Sequence, residues 1–139
     1  MRETIACAFI GAFTFAIISA TAPAAAQSDF PSRPITIIVP FPPGGSSDVV
    51  TRLVAQKLAD NLKANVVIDN RGGGGGAIGA KAVAAADPDG YTLLFGNTAT
   101  LANIPAISKS AGYDSARNFA GVAKVMDSYQ VLVVSPHLH

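Results

Sequence analysis

Cysteine is almost missing from this 139-residue chain, and its one copy, Cys7, falls near the start of an apolar leader. Everything downstream therefore lacks a disulfide, a thiol nucleophile and a Cys-ligated metal. Histidine is confined to His137 and His139, beyond Pro136, and the only glutamate is Glu3. No histidine stands where it could activate Ser46 or Ser47, and no ligand set has the form of a metal site, so catalytic residues, metal and cofactor are all expected to be none. Charge is sparse too, 14% of residues with a net +1, with no basic cluster and no interleaved aromatic stripe. A nucleic-acid partner is thereby excluded, because its electrostatic footprint is missing.

What is present in quantity is apolar: half of the residues are hydrophobic, in a length that allows at most one domain plus a leader. Residues 5 to 22 form an apolar run with Phe9, Ile10, Phe13, Phe15, Ile17 and Ile18, preceded by Arg2 and followed by Ala24-Ala25-Ala26. This pattern predicts a secretory signal peptide over residues 1–26, cut between Ala26 and Gln27, and hence a periplasmic protein. Cys7 lies too early for a lipoprotein cleavage site. A retained anchor competes, since the run is nearly long enough to span a bilayer, but its glycine, its alanines and its small-residue exit argue against one.

Residues 27–139 alternate strand and helix patterns. Ile35 to Val39 is a β-branched strand, and Ser47 to Leu62 a helix whose apolar face is Val50, Leu53, Val54, Leu58 and Leu62. Between them Pro40-Phe41-Pro42-Pro43-Gly44-Gly45 stops the strand and permits positive φ, and Ser46 or Ser47 is placed to cap the helix. Such a turn aims backbone N–H groups outward at the positive end of a helix dipole, a way for a weakly charged chain to hold an anion. Asn65 to Asp69 predicts a second strand, Ala77 to Ala86 a short helix of small residues, and Tyr91 to Phe95 a third strand after the turn Asp87-Pro88-Asp89-Gly90. The pattern weakens over Leu101 to Asn118, and two more strands are expected at Phe119 to Met126 and Gln130 to Val134. This order is that of a parallel α/β sheet, whose ligands sit beyond the carboxyl ends of the strands. That edge gathers Gly44-Gly45, the glycine run Gly72 to Gly76, and Asn97 to Thr100.

The glycine run invites a nucleotide reading, since Gly74-Gly75-Gly76-Ala77-Ile78-Gly79 satisfies G-x-G-x-x-G after a strand. It follows the second strand rather than the first, and the end of the next strand offers Gly96 and Asn97 where an acidic residue is wanted. A P-loop is excluded more plainly, because Ala80 separates Gly79 from Lys81 and Ala82 replaces the magnesium-holding Ser or Thr. A plain surface turn, or backbone approaching a ligand, are the alternatives for the run. Asp48 reads as a first-turn helix charge rather than a general base, and Asp69 and Asp87 as strand-end and turn residues.

The stretches Phe30-Pro31-Ser32-Arg33-Pro34-Ile35, Val39-Pro40-Phe41-Pro42-Pro43-Gly44-Gly45-Ser46-Ser47-Asp48, Val67-Ile68-Asp69-Asn70-Arg71-Gly72, Gly75-Gly76-Ala77-Ile78-Gly79-Ala80 and Pro88-Asp89-Gly90-Tyr91-Thr92-Leu93-Leu94 follow one another in an order and spacing that is similar to a known family. The chain resembles the Bug-family substrate-binding proteins of tripartite tricarboxylate transporters. The resemblance implies a type II periplasmic-binding-protein fold, two α/β lobes closing on a small carboxylated solute that is passed to membrane permease subunits. It places Phe41, Gly44, Gly45, Ser46 and Ser47 of the first loop at the ligand, with Gly75 and Gly76 of the glycine loop and Thr98 and Thr100 of the third. The proline that often follows the arginine in this family is replaced here by Gly72, which implies a looser loop. Such receptors are typically more than twice this length, so the resemblance also implies an incomplete parallel-sheet lobe, residues 27–139 being its N-terminal part and the second lobe missing. A nucleotide-dependent enzyme domain and a non-binding structural fragment are the rival readings.

Overall fold

The computed structural model describes residues 30–108, 111–129 and 131–136. The expected leader, residues 1–26, lies outside them. Strand β1 (Ile35–Val39), helix α1 (Ser46–Leu62), strand β2 (Val66–Asn70), helix α2 (Ala77–Ala84), strand β3 (Thr92–Leu94) and the short helix α3 (Ile104–Ile107) follow in chain order. The strands form one parallel sheet in the order β2-β1-β3. The α/β reading with a parallel sheet is therefore what the chain adopts.

The apolar run of β1 places it in the middle. Ile37, Ile38 and Val39 are all buried in succession, and because successive strand residues point to opposite faces, both faces of the sheet are covered there. Helix α1 packs on β1 and β2, and α2 on β1 and β3. The register pairs Val39 with Asn70 and Ile38 with Leu94, so the carboxyl ends of all three strands lie along one edge. Arg71 N–H donates to the Val39 carbonyl at 2.8 Å and Phe95 N–H to the Ile38 carbonyl at 2.9 Å, which ties the second and third loops to that edge as they leave it.

The face that α1 turns inward differs from the expected one. Asp48, Thr51 and Ala55 are its buried residues, whereas Leu53 is 62% exposed and Val49 and Leu62 also face solvent. Small side chains win the inner face because they let the helix axis approach the sheet closely, and Thr51 hydrogen-bonds back to the Ser47 carbonyl at 2.6 Å, so its hydroxyl is satisfied where it is buried. Of the expected face Val50, Val54 and Leu58 stay half-buried, and Leu53, Val54 and Leu58, with Lys57 and Asn61, line a shallow groove of about 440 Å³. Nor does a serine cap the helix: Gly45 is the N-cap residue and no side chain caps the first turn.

The two further strands expected at Phe119 to Met126 and Gln130 to Val134 do not form among the described residues 119–129 and 131–134. Val122, Val131, Val133 and Val134 are exposed and Leu132 is 96% exposed. A β-branched run becomes a strand only where an edge accepts its hydrogen bonds, and in this fold these residues meet none. The weak region after residue 101 resolves into a single π-helical turn, Ala99–Asn103, running straight into α3. No helix among the described residues is long and apolar enough to cross a membrane.

Candidate functional site

The β1–α1 loop is held at its two ends by a linked pair, the buried Asp48 carboxylate and the Asn70 amide. Asp48, 3% exposed, accepts the Gly44 N–H at 2.9 Å, a bidentate pair from Arg52 Nε and Nη2 at 3.0 Å each, and Asn70 Nδ2 at 3.0 Å. Asn70 Nδ2 also lies 3.2 Å from the Phe41 carbonyl, so the end of β2 grips the start of the loop while Asp48 grips its end. The Arg52 guanidinium, then the Gly44 amide and the Asn70 amide, hold the Asp48 carboxyl down at about 2 against the opposing effect of burial. The same pairing raises Arg52 above its ordinary value. Asp48 is thus a fully bonded anchor of the first helical turn, ionised at neutral pH.

The glycine loop is shaped rather than slack. Gly73, Gly74, Gly75 and Gly76 all have positive φ, and Gly74–Gly76 close a short 3₁₀ turn. At Gly76, with φ of +106°, a Cβ would overlap the Thr100 methyl and stand 3.3 Å from Pro40 Cβ, so only glycine allows the second loop to touch the first and third. A Cβ at Gly72 would lie at ordinary contact distance from Pro42 and Phe41.

In the third loop Asn97 and Thr100 bond each other. Asn97 N–H donates to Thr100 Oγ1 at 3.0 Å, and Thr100 N–H donates to Asn97 Oδ1 at 3.1 Å. Thr100 is fully buried, and Tyr113 caps its carbonyl with an O–H bond at 2.5 Å. Burial without charge partners raises the Tyr113 phenol above its ordinary value.

Phe41, Pro42, Pro43, Gly45, Ser46, Ser47 and Asn97 line a groove of about 430 Å³ over the N-terminus of α1. Of the residues expected at a ligand, Phe41, Gly45, Ser46 and Ser47 border it. Gly44 lies beside it with its N–H engaged by Asp48. Gly75, Gly76, Thr98 and Thr100 are not part of its wall, and Thr100 faces inward. Asn97 was not among the expected ligand residues, although its position at the end of β3, ahead of a threonine three residues on, is a visible side-chain turn signal. The first intrahelical bond of α1 is Val49 N–H to the Gly45 carbonyl at 3.0 Å, which leaves the N–H groups of Ser46, Ser47 and Asp48 without helical acceptors. Among the described residues no cluster of His, Cys, Asp or Glu could hold a metal ion.

The family model described as tripartite tricarboxylate transporter family receptor matches residues 50–138. The chain belongs to this receptor family. Protein BugT of Bordetella pertussis is 43% identical over 139 residues, covering 99% of this chain and 42% of that protein. A protein of Agrobacterium vitis is 41% identical over 110 residues, 79% of this chain and 32% of its own length. Among solved structures, the periplasmic binding protein BugD matches with a TM-score of 0.59 and 39% identity, covering 65% of this receptor chain and 30% of BugD. MatC from Rhodopseudomonas palustris with bound malate matches at a TM-score of 0.60 and 35% identity, over 69% of this chain and 33% of MatC. A second R. palustris protein, solved with adipate, gives 0.60 and 39% identity, over 63% and 29%. The receptor chain therefore spans well under half the length of the relatives it matches, and the family to which they belong comprises receptors, not enzymes.

Proposed function

We propose that this chain carries part of the solute site of an extracytoplasmic receptor, and that it binds a carboxylate of a small metabolite through backbone N–H groups at the N-terminus of α1. The observation that carries this reading is the groove over that terminus, where Gly45 provides no side-chain cap and Ser46 and Ser47 line the wall. Three N–H groups there lack helical acceptors, and the dipole of a 17-residue helix favours an anion. Asp48 does not repel the ligand, because Arg52 neutralises it from the outer side. Hydrogen bonds to a charged group contribute about 1.5–3 kcal/mol each, against several kcal/mol lost on association, so two or three of them orient a ligand but hold it only weakly without further contacts. Malate in MatC and adipate in the second R. palustris protein are carboxylates, which agrees with the reading.

In the same proposal residues 1–26 are a cleaved export signal, residues 27–139 are the N-terminal part of one lobe, the receptor works in the periplasm, and it delivers its solute to the permease subunits of a tripartite tricarboxylate transporter. Calorimetry on the full chain with a panel of dicarboxylates, amino acids and neutral sugars tests the ligand class. Binding within the carboxylate group alone supports it, and binding of neutral sugars with no response to any carboxylate refutes it. N-terminal sequencing of the exported protein tests the cleavage, expected to begin at Gln27.

A further inference from the structure

We propose that Asn97 is the residue that selects among ligands at this groove, donating from Nδ2 to a second oxygen-bearing group of the ligand while Thr100 locks the amide in the orientation this requires; the proposal rests on the carboxylate reading above. The lock is stereochemical. Thr100 N–H points at one atom of the Asn97 amide from 3.1 Å. A backbone N–H can only donate, so that atom is the oxygen, and the NH₂ group lies on the other side. Thr100 Oγ1 reinforces the arrangement, lying 3.3 Å from Oδ1 and 3.1 Å from the Asn97 carbonyl while accepting the Asn97 N–H at 3.0 Å.

Thr100 itself cannot turn away. It is fully buried, and its methyl packs on Gly76 at the point where any Cβ would overlap it. The glycine loop thus acts on the ligand indirectly: Gly76 seats Thr100, and Thr100 aims Asn97. Nδ2 has no protein acceptor among the described residues, although Asn97 is exposed and borders the groove with Phe41, Gly45, Ser46 and Ser47. The amides of α1 take one carboxylate whatever the rest of the ligand is. Asn97, from a different loop, offers a donor to a hydroxyl or second carboxylate, so the favoured class is hydroxy- and dicarboxylates over simple monocarboxylates.

The test is calorimetry on the full chain with malate, adipate and propionate as probes. Asn97→Asp keeps the oxygen that Thr100 N–H faces and replaces the donor with an acceptor, and it is expected to weaken malate binding by about tenfold or more. Asn97→Ala is expected to lower the ratio of malate to propionate affinity by about tenfold. Thr100→Val, which keeps the backbone N–H that faces Oδ1 but removes the reinforcing Oγ1 contacts, should lose part of that ratio, and Thr100→Ser, which restores the hydroxyl, should recover it. Side-chain amide resonances of wild-type Asn97 should shift on adding malate, a readout that does not depend on any variant folding. Unchanged affinities in both Asn97 variants, or an unmoved Asn97 amide in a wild-type chain that binds malate, overturn the assignment of Asn97 and leave the carboxylate reading standing. Failure of the wild-type chain to bind any carboxylate overturns both.

Discussion

Replacing Gly79 by alanine sets two effects of comparable size against each other. Gly79 lies inside α2, where alanine is favoured over glycine by about 0.8–1.0 kcal/mol. Its φ is helical, so no backbone strain opposes the change. The new methyl, however, would stand 2.9 Å from Pro40 Cβ, 3.0 Å from Pro40 Cα and 3.0 Å from the Arg71 carbonyl oxygen. Two of these are backbone atoms and cannot rotate away, and the third belongs to a ring. Overpacking of this kind costs about 1–3 kcal/mol, and three rigid neighbours place it toward the upper end, so the net loss is about 1–2 kcal/mol. For a domain of this size each kcal/mol lowers Tm by about 4–8 °C. Urea denaturation of the full chain followed by circular dichroism measures it, with an unchanged slope expected because the surface exposed on unfolding is the same. The displacement of Pro40 and Arg71 should also reach the β1–α1 loop, weakening carboxylate binding in parallel. Gly121→Ala, where nothing lies within 4 Å of the added atom, is the control and should stay within about 0.5 kcal/mol of wild type. A Gly79→Ala chain as stable as wild type, or more so, would show that helix and sheet can separate freely here and would refute the close-approach argument.

Asp48→Asn tests the loop anchor by pH. The carboxyl is held at about 2, below its unfolded value near 3.8, so its contribution to stability is fully present above about pH 4 and disappears as pH falls toward 2. The urea midpoint of wild type should fall through that window, while the Asp48→Asn variant starts lower and changes less across it; identical pH profiles would remove Asp48 as the anchor. Tyr113→Phe loses the bond to the Thr100 carbonyl but keeps the edge-on contact with Phe119, whose ring centroid is 5.8 Å away. It should cost about 1 kcal/mol in a denaturation midpoint. Leu132→Lys, at a position 96% exposed, should leave the midpoint unchanged and reduce self-association in sedimentation velocity runs at high concentration.

Sequence pattern revealed the sheet because the signals that build it are local. Ile35 to Val39 is a β-branched run bounded by two prolines, and the strand occupies those residues. The helix expected over Ser47 to Leu62 spans Ser46 to Leu62, although Gly45 rather than a serine is its N-cap, and Lys63 ends it in a left-handed conformation that no local pattern announced. What pattern could not show depends on partners distant in the chain. Asp48 is buried because Asn70 arrives beside it from the end of β2, and helical periodicity alone assigned the inner face to the larger Val50, Leu53, Val54, Leu58 and Leu62. Val131 to Val134 carry every local mark of a strand, yet pairing is decided by whether an edge is within reach. The groove was foreseen on its α1 side, where a glycine turn and a helix start adjoin. Asn97 was missed because its orientation is fixed by Thr100, which in turn is seated by Gly76.

The order β2-β1-β3 has a consequence for how the molecule comes into being. Among the described residues β1 is the first strand to be made and the last to be enclosed, since one neighbour arrives with Val66 and the other only with Thr92. Contacts between partners so far apart in sequence close slowly. Until Leu94 exists, one side of Ile35 to Val39 lacks the partner that pairs with it in the finished sheet. That open side of β1 is available to a holdase until β3 has been made, and only then can the three-stranded sheet claim it.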